Sequence, residues 1–150
     1  MTSPFRHRLR VRYAECDPQG IVFNANYVMY FDVAITELWR AAFGSYDAML
    51  AGGTDMVVAE VRVRYLGPAR FDDELDFALT ISRLGSTGMT TDIAVTRADG
   101  AAVAEGELRH VFVDPQSFEK QPMPDDLRAA LEPYASPTAT TRSRSSSAPG

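Results

Sequence analysis

The chain has 150 residues, of which 45% are hydrophobic and 23% are charged, and its formal net charge at pH 7 is −5. This composition indicates one globular domain, and the acidic balance argues against nucleic acid or an anionic membrane as the main partner. A single cysteine excludes an intrachain disulfide framework. Since the sequence has neither a signal-peptide stretch nor about 20 consecutive apolar residues, we expect a cytoplasmic protein without membrane insertion.

The first predicted elements are a strand and a long helix. Apolar residues alternate with arginines over residues 8–13, which predicts a strand. After a turn at 17–20, residues 25–43 carry apolar side chains at helical spacing on two neighbouring faces. Only a narrow polar strip remains, so this helix should be surrounded on most sides and should end at Gly44.

The second half of the chain is predicted to be mainly strands. After a short helix and turn at 45–53, the period of the apolar residues changes to two. Asp99-Gly100 is typical of a hairpin turn, and Gly106 predicts a bulge or a close approach within the last strand. Four strands and a final short helix are expected at about 57–65, 75–82, 89–95, 101–113 and 124–131.

This order of elements predicts an α+β fold, with one helix covering a face of an antiparallel sheet. We expect the domain to span residues 1–134. Residues 135–150 are rich in Ser, Thr and Pro and lack large apolar side chains, so a disordered tail is predicted there.

Asp17 is the residue with the clearest candidate chemistry. Asp-Pro-x-Gly at 17–20 is type I turn chemistry, and on that pattern alone Asp17 would only stabilise a turn. Its place just before the helix favours a functional role, because a helix start carries unpaired N–H groups and a positive partial charge. An acid held there could attack, or hydrate, a carbonyl whose oxygen those donors polarise. Asn24 or Asn26 is expected to cap the helix.

Three other residues carry weaker candidate chemistry. Cys16 is beside Asp17, but a buried small residue is expected there rather than a nucleophile. His7 and His110 are too scattered for a metal site, so none is predicted, and His110 is expected to be a hydrogen-bonded strand histidine.

The order of a strand, the segment Asp17-Pro18-Gln19-Gly20-Ile21-Val22-Phe23-Asn24-Ala25-Asn26-Tyr27, a long helix and four strands resembles a known family. It is similar to the 4-hydroxybenzoyl-CoA thioesterase-like branch of the hotdog-fold acyl-CoA thioesterases, over about residues 8–115. The resemblance implies a hotdog fold, in which a five-stranded antiparallel sheet wraps around a long central helix. It also implies a homodimer or homotetramer with active sites at the subunit interface.

The resemblance assigns roles to individual residues. Asp17 matches the catalytic carboxylate, which acts as nucleophile or general base, and the backbone N–H near Asn24 matches the donor that polarises the thioester carbonyl. Gly20 matches the glycine that lets the loop approach the substrate. Asp32 matches a helix acid that bonds a ring hydroxyl from the neighbouring subunit, although a solvated or salt-bridged residue is the alternative. The other substrate-binding residues expected in this segment are Ile21, Val22, Phe23, Asn26 and Tyr27.

Two positions depart from the family pattern. Many members that act on aliphatic acyl groups carry a His where this chain has Asn24, so no His relay is expected. The turn at 85–88 is often basic in relatives and contacts the CoA phosphates, whereas here only Arg83 is close in sequence. The unranked alternatives for that contact are Arg62, Arg64, Arg70 and Arg97.

The predicted function is hydrolysis of the thioester of a small acyl- or aryl-CoA, with no metal or redox cofactor. One alternative is a thioesterase for carrier-protein-bound, polyketide-type acyl chains. Another is a non-catalytic hotdog protein that binds acyl-CoA. A hydratase or dehydratase is disfavoured because such enzymes use a His, and this chain has none between residues 8 and 109.

Overall fold

The computed structural model of the chain describes residues 3–139. It contains five strands and three α-helices, so the predicted α+β class is confirmed. In chain order the elements are β1 (Phe5–Arg10), α1 (Asn26–Phe43), α2 (Tyr46–Ala51), β2 (Asp55–Tyr65), β3 (Glu74–Leu84), β4 (Gly88–Arg97), β5 (Ala102–Val113) and α3 (Asp125–Leu131). No helix in this part of the chain is long and apolar enough to cross a membrane.

The five strands form one antiparallel sheet in the order β1-β3-β4-β5-β2. Consecutive hairpins join β3, β4 and β5, and the predicted turn at Asp99-Gly100 closes the second of these with Gly100 at φ 87°. β1 and β2 are the two edge strands. The 11-residue β2 is paired with β5 on one side only, so one edge of it is free among the described residues.

Helix α1 packs against one face of this sheet. Its buried residues have the predicted helical spacing, and alternate residues of β3 and β4 are buried opposite them. The ring of Phe31 meets that of Phe77 edge-on at 6.5 Å between centroids. The predicted close approach at Gly106 is confirmed, because a Cβ there would lie 2.3 Å from Cε2 of Phe31.

The first strand is shifted from its predicted place. β1 spans residues 5–10 instead of 8–13, because the chain leaves the sheet after Arg10 and forms a short 3₁₀ turn at 13–15. Glu15 closes this turn: its N–H donates to the carbonyl of Arg12 (3.0 Å), and its Oε1 accepts the N–H of Arg12 (2.7 Å). Tyr13 is consequently 80% exposed instead of continuing the strand.

The end of the described chain packs against β3. A second 3₁₀ turn spans Glu132–Tyr134, and the N–H of Ser136 then donates to the carbonyl of Ile81 at 2.8 Å. Ala135 and Ala139, both in the segment predicted as a tail, are buried. The rest of that segment, residues 140–150, lies outside the described residues.

Candidate functional site

Asp17 sits in a tight hairpin between the 3₁₀ turn and α1. The N–H of Gly20 donates to the carbonyl of Asp17 (2.8 Å), and the N–H of Asp17 donates to the carbonyl of Ile21 (2.9 Å). The predicted turn is therefore confirmed, and Gly20 has φ 80°, a conformation that side-chain-bearing residues rarely adopt. Cys16 and Val22 form an antiparallel bridge across this hairpin, which makes it a short closed loop.

One oxygen of the Asp17 carboxylate is engaged and the other is available. Oδ1 accepts the backbone N–H of Gln19 at 2.8 Å, the local bond that makes Asp a good turn residue. Among the described residues, Oδ2 has no hydrogen-bond partner, and the side chain is half-buried. This oxygen can therefore accept a proton or attack a carbonyl carbon without first breaking a bond to the protein.

Asp17 opens onto a cavity of about 310 Å³ at the start of α1. Most of the wall is apolar or aromatic, with three polar residues at the Asp17 side. The lining consists of Asp17, Gln19, Ile21, Val22, Asn24, Tyr27, Tyr65, Gly67, Pro68 and Ala69. A small, largely apolar cavity with a few convergent polar groups is the usual form of a ligand site.

Of the nine candidate residues from the sequence, five line this cavity: Asp17, Ile21, Val22, Asn24 and Tyr27. The other four do not. Gly20 forms the hairpin, Phe23 is 47% exposed, and Asp32 is exposed further along α1. The side-chain amide of Asn26 donates to the carbonyl of Glu15 at 2.8 Å.

Sequence patterns missed the far wall of the cavity. Tyr65 ends β2, and Gly67, Pro68 and Ala69 follow it, more than 40 residues from the Asp17 hairpin. The backbone brings the two segments together, because the N–H of Val22 donates to the carbonyl of Ala69 at 2.8 Å. Gly67-Pro68 was predicted as the end of a strand, without a role in the site.

The start of α1 offers two backbone donors. The hydrogen bonds of the described residues leave the N–H groups of Asn24 and Ala25 without an acceptor. The prediction that Asn24 or Asn26 caps the helix is wrong: Ala25 occupies the cap position, no side chain bonds there, and the amide of Asn26 is used by Glu15. Because no side chain covers these N–H groups, they can bind an oxygen that carries negative charge.

Two tyrosines stand beside these donors. The Tyr65 hydroxyl donates to the carbonyl oxygen of Asn24 at 3.0 Å, and the rings of Tyr65 and Tyr27 meet edge-on at 5.5 Å. Burial, together with the neighbouring Tyr65 and Cys16, raises the pKa of Tyr27 to about 12. Tyr27 therefore stays neutral near pH 7 and keeps an O–H that can donate into the cavity.

Glu15 lies beneath the hairpin, and sequence reasoning missed it. Its buried carboxylate accepts hydrogen bonds from Tyr30 on α1 and from the backbone and guanidinium of Arg12. Burial opposes ionisation, but these bonds and the positive charge of Arg12 outweigh it and lower the pKa of the Glu15 carboxyl. A single Glu in a polar segment carries no periodic pattern that would have marked it.

A second, basic cavity of about 300 Å³ lies at the β3–β4 hairpin, at the other end of the sheet. We call it the hairpin cleft; its cations are Arg83, Arg109 and Lys120, beside residues 85–88. Only Arg109 is ion-paired within residues 3–139, with Glu60 at 3.7 Å. Sequence proximity identified only Arg83; β5 and the loop after it supply the other two cations.

The four alternative arginines differ in their surroundings. Arg62 and Arg64 face glutamates on the outer side of the sheet, and Arg97 pairs with Asp99. Arg70 reaches the Asp17 hairpin, where Nη1 would lie 4.0 Å from a Cβ at Gly20. The hairpin cleft is the largest group of uncompensated cations among these sites.

The histidine and cysteine expectations have different outcomes. His110 is buried as expected, but its Nδ1 has no hydrogen-bond partner within the described chain, so the expectation of a satisfied histidine is wrong. Its ring instead packs edge-on against Trp39 at 5.4 Å. Cys16 is half-buried. Within residues 3–139, no group of three or more His, Cys, Asp or Glu side chains is placed to hold a metal ion.

Comparison with known proteins gives a consistent match. The sequence matches the family model of the thioesterase-like superfamily over residues 11–131. It is 31% identical over 131 residues to the acyl-CoA thioester hydrolase YbgC of Escherichia coli, covering 87% of this chain and 98% of that protein.

Solved structures are similar over the same region. A hypothetical protein from Aquifex aeolicus is 30% identical with a TM-score of 0.79, covering 85% of this chain and 99% of that one. A 1,4-dihydroxy-2-naphthoyl-CoA thioesterase from Synechocystis has a TM-score of 0.77 at 19% identity, covering 85% of this chain and 94% of that one. At that identity the likeness concerns the fold.

Proposed function

The chain belongs to the thioesterase-like superfamily and has the predicted hotdog fold, and from this premise we propose that it hydrolyses the thioester of a small acyl- or aryl-CoA. The observation that carries the proposal is that a carboxylate and a backbone N–H donor line the same cavity. Asp17, with its available Oδ2, and Asn24, with its unpaired N–H at the start of the helix, both line it. The name of the YbgC relative supports the same chemistry.

In the proposed reaction the thioester carbonyl oxygen takes the place next to the N–H groups of Asn24 and Ala25. These donors stabilise the negative charge that develops on that oxygen, an effect worth roughly 3–4 kcal/mol in other acyl-transfer sites. Because the donors are backbone groups at the start of a packed helix, little reorganisation is needed during the reaction. A thioester is already an activated acyl group, so this electrostatic help and one carboxylate suffice.

Asp17 supplies the carboxylate. As a general base it takes a proton from water while the water oxygen bonds to the acyl carbon; the C–S bond then breaks and the thiolate of CoA receives the proton. As a nucleophile, Oδ2 itself bonds to the acyl carbon and expels the thiolate, and water then hydrolyses the acyl–Asp17 anhydride. Both routes need Oδ2 on the same side of the acyl carbon, either in contact with it or with one water between them, and both leave a free acid and CoA thiol.

We propose that two copies pair along the free edge of β2. This edge is 11 residues long and unpaired, and such an edge is a ready template for another strand. Val58 and Tyr65, both on β2, are 48% and 52% exposed. Asp32 does not reach the cavity of its own protomer, so its proposed role in binding an aryl hydroxyl requires the second copy.

This pairing would also bring cations to the substrate. The hairpin cleft lies beside Val57, through the pairs Val57–Val111 and Val111–Gly88, whereas the Asp17 cavity lies beside Tyr65. Val57 and Tyr65 are separated by about 26 Å of strand. If β2 of a second copy pairs antiparallel with this β2 about its middle, Tyr65 faces the Val57 end of the second β2. The hairpin cleft of the second copy then lies three strand spacings, about 14 Å, from Tyr65. We propose that it binds the CoA phosphates.

The test is thiol release from a panel of acyl- and aryl-CoA substrates, run on the wild type and Asp17→Asn together. We expect the wild type to release CoA thiol and Asp17→Asn to lower kcat at least about a hundredfold, the usual scale for losing a positioned base. Asp47→Asn, an exposed acid at the start of α2, is the matched control and should retain activity. A near-wild-type kcat for Asp17→Asn would remove Asp17 from the mechanism.

The same assay separates the alternatives. Binding of acyl-CoA without thiol release by the wild type would identify a non-catalytic binding protein. Faster turnover of carrier-protein-bound acyl chains than of the matching CoA thioesters would identify a carrier-directed thioesterase. Both substrates share the pantetheine thioester, so the chemistry at Asp17 would be unchanged and only the contacts of the hairpin cleft would differ.

A further inference from the structure

Glu15 is a buried carboxylate that the reaction above does not use. It lies two residues before Asp17 and is 5% exposed. We propose that Glu15 is a positioning residue, which holds the Asp17 hairpin at a fixed distance from the start of α1. This proposal rests on the proposed function, since it concerns how the two reacting groups of that site are aligned.

The carboxylate of Glu15 joins the 3₁₀ turn before the hairpin to the helix after it. Oε1 accepts the backbone N–H of Arg12 (2.7 Å) and the hydroxyl of Tyr30 (2.9 Å). Oε2 accepts Nε (3.0 Å) and Nη2 (2.7 Å) of Arg12, a two-pronged contact. Each oxygen thus has two donors, and bonds of this charge-assisted kind are shorter and stronger than neutral ones.

The backbone of Glu15 holds the other end of the loop. Its carbonyl accepts the N–H of Phe23 (2.9 Å) and the side-chain amide of Asn26 (2.8 Å). The chain between Glu15 and Phe23 is the closed hairpin that carries Asp17. Asp17 follows Glu15 itself by two residues, and Asn24 directly follows Phe23, whose N–H is bonded to Glu15. Both reacting groups are therefore close in sequence to a residue that Glu15 holds.

The bond between the Glu15 carboxylate and the Tyr30 hydroxyl is the charged contact that ties the hairpin to α1. Tyr30 is 2% exposed, and its ring meets that of Phe77 at 5.9 Å, so its hydroxyl is held by the core of the sheet. If the Glu15–Tyr30 bond is lost, the helix stays packed and the hairpin is the part free to shift. Since a misplacement of about 1 Å can cost about a hundredfold in rate, a small shift of Asp17 would be visible in kcat.

The experiment is a double-mutant cycle between Glu15→Gln and Asp17→Asn. Glu15→Gln alone should lower kcat about 10- to 100-fold and change KM by less than about threefold, because the cavity wall is retained. In the Asp17→Asn background the same substitution should lower the remaining rate by less than about threefold, since no carboxylate is left to align. Equal losses in both backgrounds would overturn the proposal and indicate general damage to the fold.

Two further variants keep the test decisive. Tyr30→Phe removes one donor but retains the packed ring, and it should lower kcat about three- to tenfold even if Glu15→Gln folds poorly. Glu107→Gln, an acid paired with Arg62 on the outer face of the sheet, is the matched control and should have wild-type kcat. Wild-type kcat in Tyr30→Phe and in a folded Glu15→Gln would also overturn the proposal.

A readout independent of activity separates this proposal from the proposed function. Amide hydrogen exchange at residues 17–23 should become faster in Glu15→Gln and Tyr30→Phe, while exchange in β3 and β4 stays unchanged. If the wild type hydrolyses no thioester, the proposed function fails but the exchange result still decides whether Glu15 fixes the hairpin. Unchanged exchange at residues 17–23 would overturn the positioning role.

Discussion

Tyr65 donates its phenolic O–H to the backbone carbonyl oxygen of Asn24 across 3.0 Å. The two residues are 41 positions apart, one at the end of an edge strand and the other just before α1. That carbonyl belongs to the peptide group whose N–H is contributed by Ala25, one of the two unpaired donors at the helix start. The bond therefore fixes the orientation of a proposed oxyanion donor from the opposite side of the cavity.

Removing this hydroxyl should slow the reaction. Tyr65→Phe retains the ring against Tyr27 but leaves the Asn24 carbonyl without this donor, so kcat should fall about three- to tenfold, the range for one neutral hydrogen bond. Steady-state kinetics on one acyl-CoA measures the effect. Tyr13→Phe, an exposed tyrosine that packs on Phe71, is the control and should retain wild-type kcat. An unchanged kcat in Tyr65→Phe would separate the Tyr65–Asn24 bond from catalysis.

Neutralising the hairpin cleft should weaken binding without changing the chemical step. Arg83→Ala and Lys120→Ala should each raise KM for an acyl-CoA about three- to tenfold, because each removes one of the proposed charge-assisted phosphate contacts, and kcat should stay the same. The matching acyl-pantetheine thioester, which lacks the nucleotide phosphates, should show no change. Arg62→Ala, an arginine paired with glutamates on the outer face, is the control. An equal KM increase for both substrates would contradict phosphate binding.

Charging the free edge of β2 should dissociate the proposed dimer. Val58→Asp places a carboxylate on the exposed apolar side of this strand, so the unpaired charge should oppose burial against a second copy. Sedimentation analysis should show a shift toward monomer, and activity at low protein concentration should fall because the proposed phosphate contacts come from the other copy. Val33→Asp introduces the same change at an exposed valine of α1 and serves as the control. A wild type that is monomeric at high concentration would contradict the pairing.

His110 should make the fold sensitive to acid. Burial lowers the pKa of His110 from its ordinary value near 6.5 to about 4. The unfolded chain therefore binds more protons between these values, so this contribution to stability is complete above about pH 6.5 and decreases as the pH falls toward 4. Between pH 7.5 and pH 5 the loss should be about 2 kcal/mol, or about 4–8 °C in Tm.

Thermal melts of the wild type and His110→Leu at several pH values test this assignment. The substitution removes the titrating group and a buried nitrogen that has no partner within the described chain, so the melting temperature should vary less between pH 7.5 and pH 5. The same decrease in both proteins would show that another group is responsible.

Much of the fold was predictable because burial in this chain is periodic. The helical spacing of buried residues predicted α1 within one residue of its observed bounds, and alternation in β3 and β4 predicted two central strands. The Asp17 turn was predictable for a different reason, since Asp, Pro and Gly favour that backbone locally. β1 was misplaced because Glu15 ends the strand through its side chain, and alternation alone does not report such a contact.

The site was less predictable because half of it is assembled by tertiary contacts. Tyr65 and Pro68 come near the Asp17 hairpin only through the pairing of distant segments, and Lys120, in a loop after β5, lines the same cavity as Arg83. No local pattern encodes these distances. The missing partner of His110 was equally invisible, because its position in a strand predicts burial but not which acceptors surround it.

The glycine at position 106 has a consequence for the reacting end of the molecule. The ring of Phe31 occupies the space that a side chain on β5 would fill, so α1 cannot slide along its axis without leaving a void there or forcing a larger group into it. Phe31 is one helical turn beyond Tyr27, which lines the cavity. A side chain at position 106 would displace Phe31 and, with it, the helix that carries the Tyr27 wall of the cavity.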